Sequence, residues 1–284
     1  MSKWVVTGAA GMLGRDVVDL LRRRGDATVV AMSHDDLDIT DASAVPAALE
    51  DHHPDVVVNC AAWTAVDAAE SNEDDALRVN GTAVRTIATA CRDIGARMVQ
   101  VSTDYVFDGR ASTPYAEDAR PRPRSAYGRT KLAGERAVLE LLPAMGYVVR
   151  TAWLYGAHGP NFVATMIRLA AERETVDVVA DQRGQPTWSR DVAGRILALP
   201  GVAPGIYHAT NAGGTTWCGL AREVFRLLGT DPGRVRPTTT DRFPRPAPRP
   251  AYSVLGHDGW RRAGLAPLRS WQPALLEAFP TLAK

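Results

Sequence analysis

The sequence predicts an α/β fold, a doubly wound parallel sheet with a smaller C-terminal lobe, and three observations carry that prediction. Short apolar runs of strand length alternate with longer segments whose apolar residues recur at helical spacing. The first run meets a glycine-rich turn at residues 8–14 and passes straight into a helical pattern. Small and hydroxyl-bearing residues gather just after several runs, where the strands of a parallel sheet end and where such sheets bind ligands. Together these describe a Rossmann-like architecture, which 284 residues are enough to build as one large unit.

Taken in order, Trp4–Thr7 is the first strand and Gly8, Gly11 and Gly14 form the turn. Met12, Leu13, Val17, Leu20 and Leu21 then follow a helical period that Gly25 stops. A strand, a glycine turn and a helix N-terminus make a pyrophosphate cradle, although the G-x-x-G-x-x-G spacing differs from the commoner G-x-G-x-x-G. Residues 28–32 form the second strand. Where an acidic residue would bind the ribose of NAD, Ser33 and His34 stand instead, with the first carboxylate at Asp35. This favours NADPH as cofactor, with NADH as the alternative; Arg15 is either a helper for the extra phosphate or a solvated helix residue. Asp41 is a candidate N-cap for the Ala-rich segment that follows.

Residues 56–58 are a third buried strand closing on Asn59-Cys60-Ala61-Ala62-Trp63-Thr64, where Ala61 and Ala62 let a cofactor ribose lie against the backbone. A long helix is expected over 74–94 and a fourth strand over 98–101, ending in Ser102-Thr103-Asp104-Tyr105. After a polar, Pro-rich loop comes a helix bearing Tyr127 and Lys131. Four residues apart, they share one helical face. Lysine occurs only at positions 3, 131 and 284, so the remaining 30 of the 33 basic residues are Arg, yet a compact ammonium is kept beside this phenol. The expectation is that Lys131 lowers the Tyr127 pKa and makes it a proton donor. Residues 147–151 form a further strand, followed by Ala152-Trp153-Leu154-Tyr155-Gly156. Beyond it lie helices over 161–172 and 220–228, and a Pro- and Arg-rich stretch over 230–250. Arg242, Arg245 and Arg249 are candidate diphosphate ligands, or, for the first two, a solvated basic loop.

A net charge of +1 offers no field for nucleic acid, and none is expected as a partner. Three scattered cysteines, six histidines without ligand spacing and no apolar run near 18 residues point to no metal, no membrane and a reducing cytoplasm. No leader is read before the first strand. Glycine turn, Thr103 and the Tyr127–Lys131 pair all fall at one edge of the sheet. That is the equipment for moving a hydride to a carbonyl: Thr103 bonds the oxygen, Tyr127 protonates it, and Lys131 holds the cofactor ribose.

Gly8-x-x-Gly11-x-x-Gly14 with Tyr127-x-x-x-Lys131 resembles the extended short-chain dehydrogenase/reductases. Stretches 59–67, 102–109, 127–135, 150–156, 181–187 and 249–255 resemble, in order, the dTDP-4-dehydrorhamnose reductase family. The resemblance implies that Gly11, Met12 and Leu13 contact the pyrophosphate, Asp38 and Ile39 flank the adenine, and Ala62, Trp63 and Thr64 line the cofactor. It implies that Thr103, Asp104, Tyr105 and Trp153 touch the sugar, with Tyr127 the proton donor. The implied reaction is NAD(P)H-dependent reduction of the C4 ketone of a dTDP-4-keto-6-deoxyhexose, either dTDP-4-dehydro-L-rhamnose or a relative such as the dihydrostreptose precursor. The implied division is a cofactor domain over 1–155 and a substrate lobe over 156–284, interleaved with the sheet.

Departures from the family pattern shape the remaining expectations. Asp16 and Arg190 stand where some members place metal-bridging glutamates, so a monomer or a metal-free homodimer is expected. Tyr252 and Trp63 depart from commoner residues and suggest a different deoxysugar. Two other readings stay open: an epimerase or dehydratase of the same superfamily, although no Glu follows Asp104, and a cofactor-binding regulatory subunit like the methionine adenosyltransferase beta subunit.

Overall fold

A computed structural model describes residues 1–283; Lys284, the last residue of the expected lobe, lies outside the described residues. The chain begins with β1 (Ser2–Thr7), α1 (Met12–Arg24), β2 (Ala27–Met32), α2 (Ala44–His52) and β3 (Val56–Asn59). It continues through α3 (Val66–Ala69), α4 (Glu73–Leu77), α5 (Ala83–Ile94), β4 (Arg97–Thr103), α6 (Ala126–Leu141) and β5 (Gly146–Thr151). All pairings among these strands are parallel, and the six-stranded sheet runs β10-β5-β4-β3-β1-β2, with β10 (Gly205–His208) closing it. This is the doubly wound sheet that the sequence predicts. Its order reverses between β1 and β3, which opens the ligand crevice at the carboxyl ends Thr7 and Asn59.

The strands are apolar on both faces because helices cover both. On one face Val5, Val57, Met98 and Val148 meet α2, α5 and α6; on the other Val6, Val58, Val99 and Val149 meet α1 and Trp260. Each fully buried valine stabilises the fold by ~1.5–3 kcal/mol. Between β5 and β10 the chain builds β6 (Leu154–Tyr155), α7 (Phe162–Glu172), β7 (Val176–Val179), β8 (Arg183–Gly184), β9 (Thr187–Trp188) and α8 (Ser189–Ile196). After β10 come β11 (Thr215–Thr216), α9 (Trp217–Leu227), β12 (Val235–Thr238), α10 (Asp258–Arg262) and α11 (Trp271–Leu282). Helices α7, α9 and α11 share a second core around Phe225, Val224 and Leu275. Val192 and Ile196 of α8 join the core of the sheet instead, so the last third of the chain belongs partly to each.

One element differs from expectation. The helix expected over 74–94 begins at Glu73 and is interrupted by a π-helical turn, Arg78–Thr82. Such a turn adds a residue to the helical repeat and marks functional positions in many helices; here it contains Asn80.

Candidate active site

The glycine turn fits a dinucleotide. Gly8 has φ +65°, and a Cβ there would come within 2.5 Å of the Ala61 nitrogen, so only glycine lets β1 and β3 end side by side. No side chain caps α1 at Gly11, which leaves its first-turn amides for an anion. Met12 reaches Gly156, whereas the Leu13 side chain is buried in the sheet core, so Leu13 offers a ligand its backbone amide. Buried polar groups tie the strand ends together: Thr7 Oγ1 donates to Asn59 Oδ1 at 2.7 Å, Asn59 Nδ2 to Gln100 Oε1 at 2.8 Å, and the Ala61 amide to Asn59 Oδ1 at 3.1 Å.

At the end of β2 the Ser33 amide and hydroxyl both donate to Asp36 Oδ2, at 2.8 and 2.6 Å. A carboxylate therefore sits two residues beyond the positions compared in the sequence, engaging the Ser33 donors. Asp38 is exposed and accepts from the Thr40 amide and hydroxyl, which hold it below the usual carboxylate range. The Ile39 side chain is buried in one cluster with Leu37 and Val45. Arg15 donates to the Ala10 carbonyl at 2.9 Å.

Residues Ala61, Ala62 and Trp63 are half-buried and Thr64 is exposed. Asn80 fixes this loop. Its Oδ1 accepts the Trp63 amide at 3.0 Å, and its Nδ2 donates to the Trp63 carbonyl and to Thr130 Oγ1, both at 3.1 Å. Thr130 Oγ1 donates in turn to the Tyr127 carbonyl at 2.9 Å. The π-turn thus joins the cofactor-side loop to the helix of Tyr127. The sequence shows Asn80 only as a residue inside a helical pattern; nothing in its spacing announces this role.

Ser125 starts α6 by accepting the Gly128 amide at 3.1 Å. A Cβ at Gly128 would collide with the Tyr105 carbonyl, and this close approach brings α6 onto the end of β4. Thr103 and Asp104 stand at that end of β4 beside Tyr127, and Lys131 lies one turn further along α6. Tyr127 is half-buried, and its ring stands edge-on to Tyr105 at 5.6 Å between centroids. Thr103 Oγ1 donates to Asp104 Oδ1 at 3.0 Å and accepts the Tyr105 amide at 3.2 Å.

The expected electrostatics are overturned. The Tyr127 phenol is pushed up to about 12, because withdrawal from water outweighs the lowering by the nearby Thr103 hydroxyl, and Asp104 adds to the rise. Lys131 does not counter this. It is 3% exposed, and its Nζ donates to the Val101 carbonyl at 2.7 Å, so its charge is spent on the strand. Burial lowers its own pKa to about 8, against a rise from Glu135 and Cys60. Asp104 is 2% exposed and pushed up to about 6, first by burial.

One turn after Lys131, Glu135 accepts from Arg150 Nε and Nη2 at 2.9 and 2.7 Å and from Ser102 Oγ at 2.5 Å. Both charges are 1% exposed and fully engaged. This pair locks the ends of β4 and β5 to α6, one residue from Thr103 and one from Thr151.

On the lobe side Trp153 has φ +47°, strained for a bulky residue. Its ring stacks on Trp217 at 3.5 Å and lies against Gly184, where a Cβ would enter the ring. A predicted sugar contact is therefore sandwiched by a tryptophan that the sequence does not single out. Arg249 Nη2 donates to Asp67 Oδ2 at 2.9 Å, its guanidinium lies 6.0 Å over the Tyr105 ring, and its Nη1 is buried without a partner. Arg242 and Arg245 are exposed.

Comparison with known proteins agrees with this geometry. The family model described as the RmlD substrate binding domain matches residues 2–283. A dTDP-4-dehydrorhamnose reductase of Streptomyces griseus is 61% identical, covering 99% of this chain and 94% of that one. A dTDP-4-keto-6-deoxy-D-glucose reductase of Streptomyces niveus is 58% identical, covering 99% and 97%. The solved structure of a dTDP-4-dehydrorhamnose reductase from Bacillus anthracis in complex with NADP has a TM-score of 0.95 at 38% identity, covering 98% of this chain and 99% of that one.

Proposed function

The chain belongs to the RmlD substrate binding domain family, and from that premise we propose how it works as an NADPH-dependent reductase of the C4 ketone of a dTDP-4-keto-6-deoxyhexose. The observation that carries the reading is the placing of Tyr127 against the carboxyl end of β4, where α6 packs at Gly128 on the Tyr105 carbonyl and the Tyr127 ring stands edge-on to Tyr105, two residues after Thr103. When bound, NADPH supplies the hydride. Gly8, Gly11 and the amides of Met12 and Leu13 hold its pyrophosphate. Ser33, Asp38 and Ile39 border the adenosine, and Ala61, Ala62, Trp63 and Thr64 line the rest of its path. Lys131 would have to turn its Nζ from the Val101 carbonyl to hold the ribose.

Thr103 positions the ketone oxygen and Tyr127 protonates it as charge develops there. A phenol that resists ionisation stays loaded until an alkoxide, more basic than itself, forms beside it. Glu135 and Arg150 keep β4 and α6 in register during this transfer. Asp104, Tyr105 and Trp153 shape the sugar pocket, and Arg249 takes the diphosphate, for which its unpartnered Nη1 is suited.

Residues 1–155 act as the cofactor half and 156–284 as the substrate lobe, with β10 and α8 returning to the sheet. We assign the enzyme to the cytoplasm; among the described residues no helix is long and apolar enough to cross a membrane. A monomer or metal-free homodimer is favoured by Arg190, whose guanidinium donates to Asp19 at 2.9 Å where a metal bridge would need a carboxylate.

The test is NADPH oxidation with dTDP-4-dehydro-L-rhamnose, followed by product analysis. One NADPH consumed per dTDP-6-deoxy-L-sugar is expected. An epimerised sugar without net NADPH consumption, or cofactor binding without turnover, would replace this reading with one of its two rivals.

A further inference from the structure

Trp153 is held in a conformation that its own chemistry disfavours. Its φ of +47° lies in the left-handed region, where a bulky residue persists only if its surroundings over-determine it, and such strain gathers where ligands are met. Burial alone does not account for the strain, since the residue stays half-buried. Trp153 follows the end of β5 by two residues, and Thr151, the last residue of that strand, is the register partner of Thr103 on β4. The indole is therefore carried at the carboxyl edge of the sheet, next to the strand end that bears Thr103.

Two neighbours fix the ring. The Trp217 indole stacks on it, with centroids 3.5 Å apart and planes within 8° of parallel. Gly184 lies against the same ring, where a Cβ would enter it. Both come from one two-stranded ladder: Gly184 of β8 pairs with Thr215 of β11, and Trp217 opens α9 directly after β11. Trp217 is anchored in turn. Its Nε1 donates to Gln182 Oε1 at 3.1 Å, and Gln182 Nε2 donates to Thr240 Oγ1 at 3.0 Å. The Thr240 amide and hydroxyl donate to the two oxygens of Asp181, at 2.9 and 2.8 Å. Phe162 tilts against the Trp217 ring at 4.6 Å. With its N–H bonded and its ring packed, Trp217 is a fixed surface for Trp153 to lie on.

We propose that Trp217 is a positioning residue for sugar recognition: together with Gly184 it holds the Trp153 indole in the pose that meets the hexose, and so sets how tightly the sugar, as distinct from the nucleotide, is bound. The inference rests on the proposed function, in which Trp153 shapes the sugar pocket. The chemistry of the two ligand halves differs. A 6-deoxyhexose offers a methyl group and ring C–H bonds to the apolar surface of an indole and a hydroxyl to its N–H. The nucleotide half is gripped through its phosphate charges. Truncating Trp217 lets Trp153 relax toward an ordinary backbone and moves its ring off the hexose. Arg249, Tyr127 and the glycine turn stand on other elements and keep their places.

Titration calorimetry with dTDP and with dTDP-L-rhamnose isolates the hexose, because the two ligands share the nucleotide. The wild type is expected to prefer the sugar nucleotide. Trp217→Ala should shrink that preference by up to about tenfold, the worth of a packed aromatic pair, and leave the affinities for dTDP and NADPH unchanged. With dTDP-4-dehydro-L-rhamnose as substrate, KM should rise by a similar factor while kcat changes far less. Trp217→Phe keeps a stacking ring and should recover most of the preference. Gln182→Leu releases the Trp217 nitrogen and should fall between the wild type and Trp217→Ala. No preference in the wild type, dTDP and dTDP-L-rhamnose weakened equally in Trp217→Ala, or Trp217→Phe no better than the alanine variant would overturn the proposal. Should Trp217→Ala fail to fold, Gln182→Leu decides: a preference equal to that of the wild type overturns it. An active wild type with these outcomes sinks the inference alone, whereas a wild type that oxidises no NADPH with dTDP-4-dehydro-L-rhamnose overturns the proposed function.

Discussion

Arg249 and Asp67 are 182 residues apart and paired at 2.9 Å, with the Ala247 amide donating to the other Asp67 oxygen at 3.2 Å. The pair joins the segment after the cofactor-side loop to the stretch before β-bridged Tyr252. With one amino group held, the other is presented without a competitor. Arg249→Lys retains the charge but loses the fork. Binding of dTDP, followed by titration calorimetry, is expected to weaken about tenfold, the worth of one hydrogen bond to a charged group. NADPH affinity is expected to stay unchanged.

Tyr127→Phe removes the proton donor and leaves the ring. We expect kcat to fall by about two to four orders of magnitude, while NADPH binding, measured by fluorescence titration, persists. Full turnover in this variant would assign the proton to another group.

Gly128→Ala tests the approach of α6 to β4. The added methyl would collide with the Tyr105 carbonyl, which is backbone, so the chain itself must shift. Overpacking of this kind costs about 1–3 kcal/mol, so thermal unfolding should occur several degrees lower and activity should drop with it. Unchanged stability would mean that α6 is free to shift.

Glu135→Ala leaves the Arg150 guanidinium buried and short of its partner. Breaking such a pair typically costs about 3–5 kcal/mol. Urea unfolding checks this, and the double change Glu135→Leu with Arg150→Met is expected to recover much of the loss by removing both charges.

Acid sensitivity follows from two buried histidines. His208 donates from one ring nitrogen to the Gly256 carbonyl and faces the Arg150 guanidinium with the other, and burial lowers it to about 3; His257 is lowered to about 4. Both folded values lie below the ordinary 6.5, so between about 4 and 6.5 the unfolded chain binds more protons. Stability therefore falls as pH is lowered through that window. Asp104, raised to about 6, works in the opposite sense over part of it. Urea midpoints at pH 7 and pH 5 should differ, and less so in His208→Gln.

The sheet was legible because its strands are buried on both faces and read as Val-rich runs, and Tyr127 with Lys131 was legible because helical spacing alone aligns them. The direction of the Tyr127 pKa was not. It depends on how much water the fold removes and on a carbonyl 30 residues before the lysine, neither of which spacing contains. Asn80 was hidden because its π-turn shifts the helical register by a single residue. Trp217 was hidden because its contact with Trp153 joins elements whose order in the chain says nothing of their neighbourhood. The Asp36 carboxylate at the end of β2 was hidden because it folds back on Ser33 only in three dimensions.

The sixth strand of the sheet, β10, lies more than fifty residues beyond its neighbour β5 in the chain. A growing polypeptide that has just released β5 from the ribosome therefore carries a bare hydrogen-bonding margin, the kind that recruits foreign strands. Until the stretch near residue 208 emerges, that margin must be sheltered by chaperones or tolerated. Cutting the protein at residue 155 would make the temporary hazard permanent, yielding an aggregating fragment rather than a free-standing nucleotide module.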